Sequence, residues 1–196
     1  MIDVQKFDHI GIAVRDLARA AELYGDVLGG ELVRGGDDLE LGLRTMQFKF
    51  PPGIKVELLT PIGDSYLARY LDKHGEGFHH ATIFVPDVHQ AVAELESRGF
   101  EVVDFDATMD TWQEVFVRPA SGFGALLQIV SSVSDWASPV PGMTRAAVLA
   151  GEWRWVDNAC VHVSDVDRLE PSGQRPPKNF AKVGDRGPGG AGPQQG

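Results

Sequence analysis

Two stretches of this chain are near copies of each other: Phe7-Asp8-His9-Ile10-Gly11-Ile12-Ala13-Val14-Arg15-Asp16 and Phe78-His79-His80-Ala81-Thr82-Ile83-Phe84-Val85-Pro86-Asp87. Each histidine is answered 48 positions later (9 to 57, 80 to 128) by a polar residue inside an apolar run. These are Glu57 in Val56-Glu57-Leu58-Leu59 and Gln128 in Leu127-Gln128-Ile129-Val130. An internal duplication constrains the fold more than composition can, because both copies must form the same supersecondary unit.

In the first copy Ile10, Ile12 and Val14 alternate with His9, Gly11 and Ala13, the period of two that marks a strand with distinct faces. Asp16 stands where a helix N-cap belongs, and Leu17, Ala20, Ala21, Tyr24, Val27 and Leu28 recur at helical spacing until Gly29-Gly30. The second copy repeats this with Asp87 as cap, Gln90 completing a capping box, and Val88, Ala91, Val92 and Leu95 as the stripe. Between the copies, residues 64–74 read as a connecting helix ended by Gly75 and expected to shield one sheet edge.

The four special residues share one face of four strands whose neighbours are large aliphatics. Burying a carboxylate and two imidazoles without partners costs several kcal/mol, and a divalent cation removes that cost. His9, Glu57, His80 and Gln128 would leave two of six octahedral positions open for a chelating substrate, a set that suits Co, Ni, Mn, Fe(II) or, less strictly, Zn.

These residues carry a resemblance to the vicinal oxygen chelate (glyoxalase/bleomycin resistance/dioxygenase) superfamily. It covers roughly residues 5 to 132, and the run Gly75-Glu76-Gly77-Phe78-His79-His80 with its preceding helix is similar to methylmalonyl-CoA epimerases. The resemblance implies an α+β fold: two paired βαβββ modules, about 5–62 and 78–132, forming an open, cup-shaped β-sheet barrel with helices outside. It also implies a metal-dependent epimerase or isomerase acting by α-proton transfer, a CoA thioester as small-molecule partner, and a homodimer.

One departure matters. The family's last ligand is usually Glu, and here that position is Gln128, while the acid expected in the first module falls at Met46 or Gln47. Exchanging the modules resolves both losses, because His80, Gln128, His9 and Glu57 then reproduce a His, Gln, His, Glu ligand set. Exchange also carries the base position to Glu114, five residues before Pro119. Glu57 and Glu114 are therefore the expected acid/base pair. Alternatives are an Fe(II) ring-cleaving dioxygenase, since two histidines and one carboxylate suit that chemistry, a lactoylglutathione-lyase-type isomerase, and a cup that sequesters a small molecule without turnover.

The formal charge of −10 without a basic cluster speaks against a nucleic-acid partner. An anionic thioester would need local cations, for which Lys49, Lys55, Arg69, Lys73 and Arg118 are candidates. No run is long enough for a membrane span, Cys160 is the only cysteine, and the N-terminus lacks an apolar targeting core, so the expected location is cytoplasmic.

Beyond the two modules, residues 133–155 read as a linker with a short helix near Met143 to Leu149. Residues 156–169 echo Phe7 to Arg19, with Asn158 in the place of His9, and read as the remnant of a further module. Trp153, Trp155 and Val161 are expected to expose apolar surface there and to offer a strand to another chain. From residue 170 to 196 the composition cannot bury a core and predicts disorder.

Overall fold

The computed structural model describes residues 1–168, so the tail expected to be disordered, 170–196, lies outside the described residues. The first module runs β1 (Lys6–Ala13), α1 (Leu17–Ala21), β2 (Glu31–Asp38), β3 (Leu43–Lys49) and β4 (Lys55–Pro61). After α2 (Tyr66–His74) the second follows as β5 (Gly77–Phe84), α3 (Val88–Ser97), β6 (Val102–Asp106), β7 (Gln113–Val117) and β8 (Leu127–Ser131). The extension adds α4 (Arg145–Leu149), β9 (Trp153–Val156), β10 (Ala159–His162) and α5 (Val163–Val166).

All ten strands form one sheet in the order β10-β9-β2-β3-β4-β1-β5-β8-β7-β6. Each module closes on itself through a parallel pair, β1 with β4 and β5 with β8, and the modules join through antiparallel β1 and β5. This is the expected α+β architecture: a single open, curled sheet, with α1 and α3 packed on the face opposite the cavity and α2 on the cavity face beside Leu43 and Leu59.

Period-two alternation sorts each strand between core and cup. In β3 and β4, Met46, Phe48 and Leu58 are buried against α1 with Val14, Leu17 and Ala21. In β7 and β8, Val115, Val117 and Ile129 pack with Val88 and Ala91 of α3. The intervening residues Thr45, Gln47, Glu57, Glu114, Phe116 and Gln128 face a cavity.

Asp16 and Asp87 cap their helices as expected, accepting from Arg19 N and from His89 N and Gln90 N. The helical stripe of the first module fails beyond Tyr24. Residues Glu22–Val27 wind as a π-helix, with Leu28 N bonded to Leu23 O, and the wider turn leaves Val27 and Leu28 exposed. The connecting helix α2 covers interior strands, not a sheet edge, because Leu67 and Leu71 bury against Ala13, Leu43 and Leu59.

The extension is also more integrated than its sequence suggests. β9 pairs parallel to β2 at Asp37 and Arg154, so the strand expected to seek another chain pairs within its own. Trp153 is buried in the first module's core, and Trp155 stacks on Trp136 with centroids 6.1 Å apart. Asn158 does not sit in a strand as His9 does. It shares with Asp157 the positive φ values, 64° and 48°, of the tight turn between β9 and β10.

Candidate metal centre

His9 and Glu57 come from the parallel pair β1 and β4, and His80 from β5 on the other side of β1. Their donor atoms converge: His9 Nε2 and His80 Nε2 are 3.3 Å apart, and Glu57 Oε2 lies 3.7 Å and 3.6 Å from them. Donors bound at about 2.0–2.2 Å to a single ion sit roughly 3–3.5 Å from one another, so this triangle fits a divalent cation. All three residues are buried.

The orientation of both imidazoles has a common cause in two β-bulges. The pairing of β1 with β5 shifts register between Phe7 and His9, leaving Asp8 as an extra residue, and shifts again between Gly11 and Ile12, leaving His79 extra on β5. A bulge puts neighbouring side chains on one side of the sheet. Asp8 Oδ2 therefore reaches His9 Nδ1 at 2.9 Å, and His79 Nδ1 reaches His80 Nδ1 at 3.0 Å. Each bulged residue holds the outer nitrogen of the next histidine and leaves Nε2 facing the centre, the arrangement that fixes tautomer and basicity at metal sites.

The two outer partners differ. Burial lowers the His79 pKa to about 4, so it is neutral and can accept from His80. Burial alone would raise the Asp8 pKa, but the His9 hydrogen bond and the Lys55 charge outweigh it and hold Asp8 well below the usual carboxylate range. Lys55, itself fully buried, reaches Asp8 Oδ2 at 2.8 Å and donates to Trp136 O at 2.8 Å, tying the extension to the centre. Gly11 is the register partner of His80, and a Cβ there would meet the His80 ring at 2.3 Å, so the imidazole occupies space that only glycine leaves open.

Glutamine amides position both carboxylates. Gln47 Nε2 donates to Glu57 Oε1 at 2.9 Å, and Gln128 Nε2 donates to Glu114 Oε2 at 2.6 Å. Trp112 Nε1 donates to the same Glu114 oxygen at 2.8 Å. The Gln128 carbonyl oxygen accepts from Thr82 Oγ1, which is itself 2.9 Å from His9 Nε2. Gln128 thus stands one hydroxyl removed from the triangle that the other three expected ligands form.

The centre opens into a cavity of about 640 Å³ lined by His9, Glu57, His80, Glu114 and Gln128 together. The end of β2 and the turn into β3 supply Asp38 to Leu41 to its lining, while no described residue of 105–111 lines it. That wall is built instead by the extension, through Trp136 and Arg154 to Asn158. Several cations expected to serve an anionic substrate are already paired: Lys55 with Asp8, Lys49 with Glu31, Arg69 with Asp64 and Arg118 with Glu101.

Residues 8–116 match the family model of the Glyoxalase/Bleomycin resistance protein/Dioxygenase superfamily. The chain belongs to this superfamily. The mitochondrial methylmalonyl-CoA epimerase of Dictyostelium discoideum is 30% identical over 132 residues, 65% of this chain and 79% of that protein. The methylmalonyl-CoA epimerase of Mycobacterium tuberculosis superposes with a TM-score of 0.61 at 30% identity, covering 67% of this chain and 90% of that one. A Streptomyces coelicolor methylmalonyl-CoA epimerase variant in complex with 2-nitronate-propionyl-CoA gives 0.57 at 26% identity, covering 67% of this chain and all of that one. The matches take in about two thirds of this superfamily member and between 79% and all of these relatives.

Proposed function

We propose that this protein is a divalent-metal-dependent epimerase that moves the α-proton of a carboxylate-bearing acyl-CoA thioester of the methylmalonyl-CoA type. The observation that carries this reading is the meeting, in one cavity, of the His9–Glu57–His80 triangle with a second carboxylate, Glu114, held by two N–H donors. Similarity to named epimerases over two thirds of the chain supports it.

His9, Glu57 and His80, joined by Gln128 through its carbonyl oxygen, would hold one ion of Co, Ni, Mn, Zn or Fe(II) type. When bound, such an ion supplies Lewis acidity toward two adjacent substrate oxygens. The chain's own groups carry the proton. Glu114, fixed by Gln128 and Trp112, takes it from one face of the α-carbon. Glu57, fixed by Gln47 on the opposite module, delivers to the other face a proton taken up from solvent while Glu114 releases its own to solvent, which inverts the centre with no net proton or redox change. The indoles of Trp112, Trp136 and Trp155 line the cavity and set apolar surface beside that step.

The test is exchange of the α-proton of methylmalonyl-CoA with deuterium, followed by NMR. Exchange is expected with a divalent ion and is expected to stop when a chelator strips it. Absence of exchange with every divalent ion tried overturns the reading. Oxygen uptake with a catechol under Fe(II) would move the protein to the dioxygenases instead.

The proposal extends to a cytoplasmic homodimer. Leu23, Val27 and Leu28, which are 46%, 68% and 55% exposed, offer apolar surface for such contact, and no helix among the described residues is long and apolar enough to cross a membrane. Light scattering on the full chain is expected to give twice its 21.3 kDa mass. A single-chain mass would remove the dimer.

A further inference from the structure

The cavity wall is acidic. Asp38, Glu40, Glu57, Glu114 and Asp157 line it, and Arg154 is the only arginine or lysine among the described lining residues. Like charges at this range repel an incoming carboxylate, and the effect grows where walls of low polarity exclude water. A substrate with a free carboxylate therefore needs a fixed cation beside the metal ion.

Arg154 is placed to be that cation. It lies in β9 opposite Asp37 of β2, but the Asp37 carboxylate is occupied by Arg44, which holds both of its oxygens. The Arg154 guanidinium makes no hydrogen bond or ion pair with any described residue. Its strand is held rigidly from both sides. Trp153 is buried in the first module's core, and Trp155 donates to Thr45 Oγ1 at 2.9 Å while stacking on Trp136. Trp136 packs in turn on Trp112, with centroids 4.4 Å apart, and Trp112 holds Glu114. The extension thus carries an unspent cation into the cavity and braces the proposed base.

We infer that Arg154 binds the free carboxylate of the acyl group, making the stretch from Trp136 to Asn158 part of the active site and the source of its preference for an anionic acyl chain. This rests on the proposed acyl thioester substrate. The acyl end, not the phosphates, is the expected partner, because the pantetheine arm of a CoA ester holds its phosphates far from the acyl carbon while Arg154 lines the cavity that contains Glu57 and Glu114. A planar guanidinium suits a carboxylate through two parallel hydrogen bonds, which an ammonium group reproduces only in part.

Calorimetric titration of the divalent-ion-loaded full chain with methylmalonyl-CoA and with propionyl-CoA, which lacks the free carboxylate, tests the inference. Arg154→Met is expected to raise the Kd for methylmalonyl-CoA on the order of 10–100-fold and to leave that for propionyl-CoA within about twofold, with Arg154→Lys between. An unchanged Kd for methylmalonyl-CoA overturns the inference. Equal losses for both thioesters also overturn it, by assigning Arg154 to the phosphates or to the fold. Should the wild-type protein neither bind nor exchange any thioester, the proposed function fails on its own, and free malonate becomes the probe. Malonate binding lost in Arg154→Met then supports the carboxylate site, and malonate binding unchanged overturns it.

Discussion

Glu114→Gln is expected to slow α-proton exchange by about 10²–10⁴-fold, the range that a positioned general base contributes, while divalent-ion binding stays near the wild-type level. The separation of the two effects follows from geometry. Trp112 Nε1 and Gln128 Nε2 both donate to Glu114 Oε2, and a glutamine oxygen in that position still accepts from both. The wall stays in place and only the proton acceptor is lost. Glu57→Gln, in contrast, alters the triangle itself and is expected to weaken ion binding as well as exchange. Parallel measurement of exchange rate and of metal content by atomic emission checks the distinction. Undiminished exchange in Glu114→Gln would take that residue out of the mechanism.

Lys55→Ala is expected to destabilise the metal-free fold by about 3–5 kcal/mol, the range for breaking a buried ion pair by removal of one partner. Lys55 and Asp8 are 2% and 3% exposed, so without the ammonium group the Asp8 charge keeps only His9 and the half-exposed Lys6 as partners. Equilibrium denaturation by urea measures the loss. Replacing the pair together, as Asp8→Leu with Lys55→Met, is expected to recover most of that stability because no charge is then stranded. It is not expected to recover ion affinity, since His9 loses the carboxylate on its Nδ1, a change that typically costs 10–100-fold. The same pair sets an acid limit. The folded-state pKa of Asp8 lies below its unfolded value of about 3.9, so the stability it contributes is complete above that value and is lost as pH falls toward the folded pKa.

His9, His80 and Glu57 were legible from sequence because each is a polar residue on an apolar strand and because duplication repeats the pattern. Asp8 and His79 were not, although each directly precedes a candidate ligand. Strict alternation sends adjacent side chains to opposite faces, and only the two bulges, which depend on how β1 meets β5, bring them together. Lys55 carried the same signal as Glu57, a charge in an apolar run, yet its partner Trp136 O lies 81 positions away.

The first-module counterpart of Glu114 was misplaced for a related reason. Glu114 pairs with Val130, two residues past Gln128, and the matching pair beside Glu57 is Thr45 with Leu59, so the equivalent position is Thr45 and not Met46 or Gln47. Gln47 has a task of its own in holding Glu57. The extension was the least legible part. Its four-residue strands have too little periodicity to be read locally, and their positions are set by the edge of β2 and by the stack of Trp155 on Trp136, which packs in turn on Trp112 of the second module.

The doubled bulge has a consequence for how the protein would grip the proposed ion. Because one inserted residue per strand seats a candidate ligand and its support side by side, a single tripeptide, Phe7-Asp8-His9 or Phe78-His79-His80, encodes both, and one codon can retune the support without disturbing the histidine. The halves have diverged in that codon. An anion backs one imidazole and a neutral ring backs the other, so His9 is the stronger electron donor and His80 the weaker, and an ion bound as proposed would be held unequally by the two halves.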